Sequence, residues 1–173
     1  MTFVIESDRL DLVPLTPELL RLTRDADLAG LGSALGTAVP EHWPCTVPAQ
    51  RRLAQLAADP AELPWLARAI VLREPRTLVG MIGFHAPPDE RASVEVGYEI
   101  LPEHRRRGYA REAVVALEDW AFRTGAARIA VAATSPENLA SRALIESLGF
   151  RRVGEQIDEE DGLELVFERE LPL

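Results

Sequence analysis

A chain of 173 residues that is 47% hydrophobic and 27% charged can bury roughly 70% of its unfolded surface in one core, which excludes a disordered chain. A formal charge of −9 argues against nucleic acid as a partner, and no run of about 18 uncharged apolar residues is present to cross a membrane. The single cysteine, Cys45, has no second thiol for a disulfide or a metal site, and no basic-then-apolar leader opens the sequence, so the expected compartment is the cytoplasm.

Residues 5–14 alternate loosely and predict a first strand. Thr16-Pro17-Glu18 then offers a capping threonine, a proline at the first helical position and an early acid, predicting a helix over 17–34 that breaks near Gly30 and Gly32. Residues 39–44 are too proline-rich for regular structure, whereas 49–58 are helical in composition until Asp59-Pro60. Two β-like runs, 65–73 and 78–84, are joined by Glu74-Pro75-Arg76 and predict an antiparallel hairpin. After a loop at 85–90, residues 93–101 predict a strand that Pro102 ends.

From Gly108 the spacing becomes helical, with Ala110, Ala113, Val114, Leu117, Trp120 and Ala121 on one face, which assigns Trp120 to the core; Gly125 ends the helix. Residues 128–133 predict a short buried strand. Ser135-Pro136-Glu137-Asn138 opens a helix carrying Leu139, Ala143, Ile145 and Leu148 and stopping at Gly149. Residues 150–157 and 163–170 close the chain as a β pair around an acidic turn, in which Glu159, Glu160 and Asp161 either attract a cation or lie exposed. The interleaving predicts one α/β domain over residues 1–173 with a mixed sheet.

Chemistry is concentrated in Arg105-Arg106-Arg107-Gly108-Tyr109-Ala110, where a strand gives way to a helix. A helix start leaves about four N–H groups free at the positive end of the dipole, and Gly108 with Ala110 lets a ligand approach the backbone. These are the requirements of a diphosphate cradle. The dipole contributes roughly 0.3–1 kcal/mol, so hydrogen bonds and arginines must supply the remainder. A solvated turn has the same spacing. On the preceding strand the period of two sets Val94, Val96, Tyr98 and Ile100 on one face and Glu95, Gly97 and Glu99 on the other. Each glutamate stands about 6.6 Å from Gly97 along the strand, and Gly97 leaves room for a substrate between the two carboxylates, although a solvated strand face reads the same way.

Arg105, Gly108 and Ala110 fit the pattern Gln/Arg-x-x-Gly-x-Gly/Ala, and through it the chain resembles the GNAT acetyltransferases. The resemblance extends to Ser7-Asp8-Arg9-Leu10 through Pro14-Leu15-Thr16, to Val96-Gly97-Tyr98, and to Asn138-Leu139-Ala140-Ser141 through Gly149-Phe150. The last two marks look like the branch of ribosomal-protein N-terminal acetyltransferases. The resemblance implies a GNAT-like, mostly antiparallel sheet of about 6–7 strands flanked by about 4 helices. It also implies acetyl-CoA as co-substrate without a metal, and direct attack on the thioester by a primary amine of a small molecule or a protein N-terminus. A homodimer is common in such enzymes.

By the same resemblance, backbone groups around Ile100 and Leu101 pair with the pantetheine arm like an added strand. Arg105 and the amides of Arg106, Arg107, Gly108, Tyr109 and Ala110 hold the diphosphate, Asn138 lies near the pantetheine, and Arg142 meets the nucleotide phosphates. Glu95 is the expected base, with Glu99 as the alternative. The family's usual tyrosine acid falls at Ile145, which leaves Ser141 as the expected proton donor to the sulfur. A lysine-like amine at pH 7 lacks about 4.6 kcal/mol of its neutral form and an α-amine only about 1 kcal/mol, so an α-amine is the easier acceptor. Trp43, His42, Trp65 and His85 are candidate walls for the acceptor pocket. A noncatalytic acyl-CoA-binding module is the competing reading, favoured by the missing tyrosine.

Overall fold

The computed structural model describes residues 3–158 and 162–172; Glu159, Glu160 and Asp161 of the acidic turn lie outside them. Residues Ile5–Glu6 (β1) and Leu10–Pro14 (β2) pair antiparallel, so the expected first strand is a hairpin. Its turn is closed by Ser7, whose N–H donates to the Leu10 carbonyl at 2.9 Å and whose hydroxyl oxygen accepts from the Leu10 N–H at 3.2 Å.

Helix α1 (Pro17–Arg24) takes its cap from Thr16, as the sequence predicts. The break before α2 (Leu28–Leu35) falls at residues 25–27 and leaves Gly30 and Gly32 inside the helix. Asp27 causes this, because its carboxylate accepts from the Gly30 N–H at 2.9 Å and starts a new helix there. The proline-rich stretch contains a short helix, α3 (Trp43–Thr46), driven by burial of Trp43, which is 0% exposed. Helix α4 (Ala49–Ala58) follows.

The hairpin β3 (Arg68–Leu72) and β4 (Thr77–Phe84) forms as predicted, with β3 starting three residues late, and β5 is Ser93–Ile100. The remaining elements are α5 (Tyr109–Arg123), β6 (Ile129–Thr134), α6 (Leu139–Ser147), β7 (Arg151–Asp158) and β8 (Gly162–Glu170). The strands form one sheet in the order β1-β2-β3-β4-β5-β6-β8-β7. Among the described residues this gives eight strands and six helices, more than expected because the first strand and the first helix each divide and the proline-rich stretch adds a turn of helix.

Alternation along the strands divides the apolar residues between two faces. Ile70, Ile82, Val94 and Val96 pack with α5 and α6, while Ala69, Val71 and Met81 pack with α1 to α4. Trp120 sits at the rim of the first cluster, tilted against Trp65 at 4.9 Å between ring centroids, with the Arg68 guanidinium 5.3 Å above its ring.

The parallel pair β5 and β6 positions the site. These strands pair only over residues 93–95 and 129–131. Beyond Glu95 and Val131 they diverge, so the outer half of β5 has a neighbour only on its β4 side. The gap opens towards the start of α5 and towards α6.

Candidate active site

One wall of the gap is the turn into α5. Arg106 and Gly108 have φ values of 62° and 81°, left-handed conformations that glycine tolerates and other residues adopt at a cost. Turns of this kind direct successive N–H groups into a concavity that suits an anion. α1, α2 and α6 each begin with a side-chain cap, whereas α3, α4 and α5 do not; of these uncapped starts, that of α5 lines the cleft described below, where its first-turn amides can meet a ligand.

Arg9 supports this turn from behind. Its Nη1 donates to the Arg107 carbonyl at 3.2 Å, its guanidinium lies 4.8 Å from the Tyr109 ring centroid, and its backbone N–H and Nε each donate to Glu112 at 2.7 Å. Burial works against ionisation of Glu112, but hydrogen bonds from Ser7 and Arg9 outweigh it and hold the carboxyl below its ordinary value.

The turn opens on a cleft of about 580 Å³ between β5, α5 and α6. Of the residues expected at a donor site, Ile100, Arg105, Arg106, Gly108, Tyr109, Ala110, Asn138 and Ser141 line it. Tyr98, Glu99, His104, Arg111, Ala140 and Leu144 complete it. Glu99 was expected only as an alternative base; Tyr98 shares its strand, His104 and Arg111 flank the turn into α5, and Ala140 and Leu144 come from α6, so their meeting depends on how these segments dock.

Three of the residues expected at the donor site do not line the cleft, and neither does Glu95, the expected base. Leu101 is 0% exposed, and its N–H donates to the Val79 carbonyl at 2.9 Å. Arg142 turns back on its own loop and donates to the Pro136 carbonyl at 3.0 Å. Arg107 contributes its carbonyl to Arg9. Since Leu101 bonds towards β4, antiparallel alternation directs the backbone groups of Tyr98 and Ile100 towards the gap. The Ile100 carbonyl there accepts from Arg105 Nε at 2.8 Å.

On the α6 side of the gap the Tyr98 hydroxyl lies 3.1 Å from the Ser141 hydroxyl. Burial raises the Tyr98 pKa, and the hydrogen bond to Ser141 only partly offsets it, so the phenol stays protonated. Ile145 is 3% exposed, in the core. Asn138 caps α6 by accepting from the Ser141 N–H at 3.1 Å.

On the α4 side stand Glu95, Gly97 and Glu99. The room above Gly97 is taken by His85: a Cβ on Gly97 would lie 2.8 Å from His85 Nε2. His85 Nδ1 is 3.4 Å from Glu95 Oε1, and Glu99 is 3.9 Å from Arg105 Nη2. Of the other expected pocket walls, Trp43 is core, Trp65 packs on Phe84 and Trp120, and His42 lies 3.8 Å from Glu103.

A second groove, about 650 Å³, runs along the outer side of α5. Half of its charges pair with one another, Arg9 with Glu112 and Arg169 with Glu118, and Glu6 and Asp119 pair with Arg73 and Arg123 beyond it, so the cleft at the gap is the better candidate site. Among the described residues no group of three or more His, Cys, Asp or Glu side chains is placed to hold a metal, and no helix is long and apolar enough to cross a membrane.

The profile of the acetyltransferase (GNAT) domain family matches residues 9–151. An uncharacterized N-acetyltransferase of Bacillus subtilis (strain 168), YoaA, is 39% identical over 83 residues, 47% of this chain and 46% of that protein. The aligned part thus spans about half the length of the curated relatives that the chain matches. Among solved structures, RimJ of Mycobacterium smegmatis in complex with CoA-disulfide superposes with a TM-score of 0.69 at 18% identity, covering 98% of this chain and 88% of that one. An acetyl transferase from Salmonella typhimurium that modifies the N-terminal serine of a 50S ribosomal subunit protein superposes with a TM-score of 0.67 at 16% identity, covering 98% and 100%.

Proposed function

The chain belongs to the GNAT acetyltransferase family, and from that premise we propose that it moves an acetyl group from acetyl-CoA to a primary amine, a protein N-terminal α-amine being the preferred acceptor. The observation that carries the reading is the uncapped start of α5 beside the gap between β5 and β6. Its donor set fits the co-substrate: amides and arginines for a diphosphate at one end, and strand backbone of Tyr98 and Ile100 for an amide-bearing arm along the other. RimJ of Mycobacterium smegmatis, with the same fold, was solved with a CoA derivative.

Bound acetyl-CoA supplies an acyl carbon activated as a thioester and a sulfur leaving group. Arg105, Arg106 and the amides from Gly108 to Ala110 hold the phosphates, while Asn138 fixes the first turn of α6 so that Ser141 faces the gap. Ser141 and Tyr98 offer hydroxyl donors to the departing sulfur. Glu95 and His85 form the polar face on the opposite side, where the amine enters and loses its proton. An α-amine needs least help there, because about 1 kcal/mol suffices to make it neutral at pH 7. The acetyl transferase from Salmonella typhimurium named above acts on a protein N-terminal serine, which supports the same preference.

Calorimetry with acetyl-CoA, combined with thiol release over peptides, polyamines, amino acids and aminoglycosides, tests the proposal. Binding in the micromolar range and turnover on peptides with free α-amines are expected. Turnover on small amines alone would move the acceptor class, and binding without turnover on any of them would favour a noncatalytic module. Gly108→Val should weaken acetyl-CoA binding about tenfold or more, since a β-branched residue at a φ of 81° costs at least about 1–2 kcal/mol.

A further inference from the structure

We propose that the His85 imidazole, oriented by Glu95, is the group that takes the proton from the acceptor amine, which makes Glu95 a positioning residue; this rests on the acetyl-transfer reading above. His85 is fixed at both backbone groups. Its N–H donates to the Glu95 carbonyl at 2.9 Å, and its carbonyl accepts from Arg52 Nη1 at 2.9 Å and from Gln55 Nε2 at 3.0 Å. Arg52 is itself only 4% exposed and also donates to Gln55 Oε1 at 2.7 Å. A buried clamp on α4 therefore sets where the ring can lie.

The ring's two nitrogens have different surroundings. Nδ1 is 3.4 Å from Glu95 Oε1; the carboxylate favours the hydrogen on that nitrogen, which leaves the lone pair on Nε2. Nε2 lies over Gly97, where any Cβ would come within 2.8 Å. Gly97 is two residues past Glu95, at which the pairing of β5 with β6 stops. The lone pair is thus held beside the open stretch of β5, and the side chain is 44% exposed, accessible to an incoming amine.

An imidazole titrates closer to neutral pH than an ordinary carboxylate, which suits it better to deprotonate an amine. Burial lowers the His85 pKa, Glu95 pulls it back up, Arg52 and Arg51 on α4 push it down, and Glu164 on β8 raises it. The balance lies below the ordinary value, so at pH 7 the ring is neutral, as a base must be. In the transfer, the amine nitrogen bonds to the acetyl carbon as the C–S bond breaks. The sulfur keeps the C–S electron pair and takes a proton from the Tyr98 and Ser141 hydroxyls, which solvent restores. The proton lost by nitrogen passes to Nε2 and then to solvent, while Glu95 stabilises the transient imidazolium.

Thiol release with acetyl-CoA and a short peptide bearing a free α-amine, followed from about pH 5 to 9, tests the assignment. Wild-type kcat/KM should fall on the acid side with a pKa under about 6.5. His85→Gln should lower kcat about a hundredfold, remove that limb, leave acetyl-CoA affinity unchanged and respond to added imidazole. Glu95→Gln should keep the limb but move it to lower pH, because the carboxylate that raises the imidazole pKa is gone. Gly97→Ala, which displaces the ring without removing it, should lower kcat by a smaller factor. Nitrogen-15 NMR of the wild type should show hydrogen on Nδ1. A His85→Gln enzyme that retains both rate and acid limb, or hydrogen found on Nε2, overturns the assignment. A wild type that binds acetyl-CoA and releases no thiol with peptides or small amines overturns the acetyl-transfer reading instead, and this assignment with it.

Discussion

The two sides of the gap between β5 and β6 are built by different means. On the proposed donor side the groups are backbone amides of one contiguous turn, shaped by the left-handed residues Arg106 and Gly108 and supported by α5. On the proposed acceptor side they are side chains brought from α4, the end of β4 and the middle of β5, held by the buried Arg52. A backbone site tolerates exchange of its side chains but depends on its dihedral angles and on the helix behind it. A side-chain site depends on the anchors that aim each ring and carboxylate. The two sides should therefore respond to different substitutions, and pH should act on stability through one and on turnover through the other.

The largest effect is expected behind α5, where Glu118, 1% exposed, pairs with Arg169. Burial outweighs the attraction of Arg169 and pushes the Glu118 carboxyl from 4.5 up to about 7. The folded protein then holds this proton more tightly than the unfolded chain does. The associated stability is present in full below about pH 4.5 and is lost as pH rises through about 7, on the order of 3 kcal/mol in all. Urea unfolding of Glu118→Gln at pH 5 and pH 8 should show a smaller difference than the wild type shows. Equal differences would mean that the donor side's support carries no such proton linkage.

Next in size, Arg52→Met removes the acceptor-side clamp. Displacing a catalytic group by an ångström costs up to about a hundredfold in rate. Turnover is thus expected to fall about ten- to a hundredfold in steady-state kinetics, with the acetyl-CoA Kd unchanged by calorimetry. A parallel loss of acetyl-CoA affinity would break the separation between the two sides. The smallest effect is expected from Arg9→Ala, which removes an exposed buttress worth up to about 1 kcal/mol. The acetyl-CoA Kd should rise about three- to fivefold with kcat at saturation unchanged. No change would mean that the turn keeps its shape through Arg106 and Gly108 alone.

Several features were legible in the sequence because their causes are local. Thr16 caps α1 through its own side chain, and Pro102 closes β5 by steric exclusion of its neighbour. Misread features have causes distant in sequence or hidden by a stronger local signal. Gly30 and Gly32 suggested a helix break, yet Asp27 sets it earlier. Trp120 lies on the apolar stripe but only at its rim, because Trp65 and Arg68 meet it there. The buried charges of Arg68 and Glu118 carry no local signature, since what makes them tolerable is contributed by other segments. Arg68 donates to the carbonyls of Phe3, Leu12 and Pro64, and Glu118 pairs with Arg169.

The sequence by itself determined the order of strands and helices from α4 onward, the two faces of β5 and the passage from strand to helix between Arg105 and Ala110. Each of these depends on dihedral preference and periodicity within about ten residues. The tertiary structure alone decided that β5 and β6 part after Glu95, that Leu101 and Arg142 turn away from the cleft, and that His85 comes to lie across Gly97 beside Glu95. Those outcomes follow from the register of β4 against β5 and from the docking of α4 over the sheet. Both are set by packing between segments far apart in the chain, to which no local pattern is sensitive.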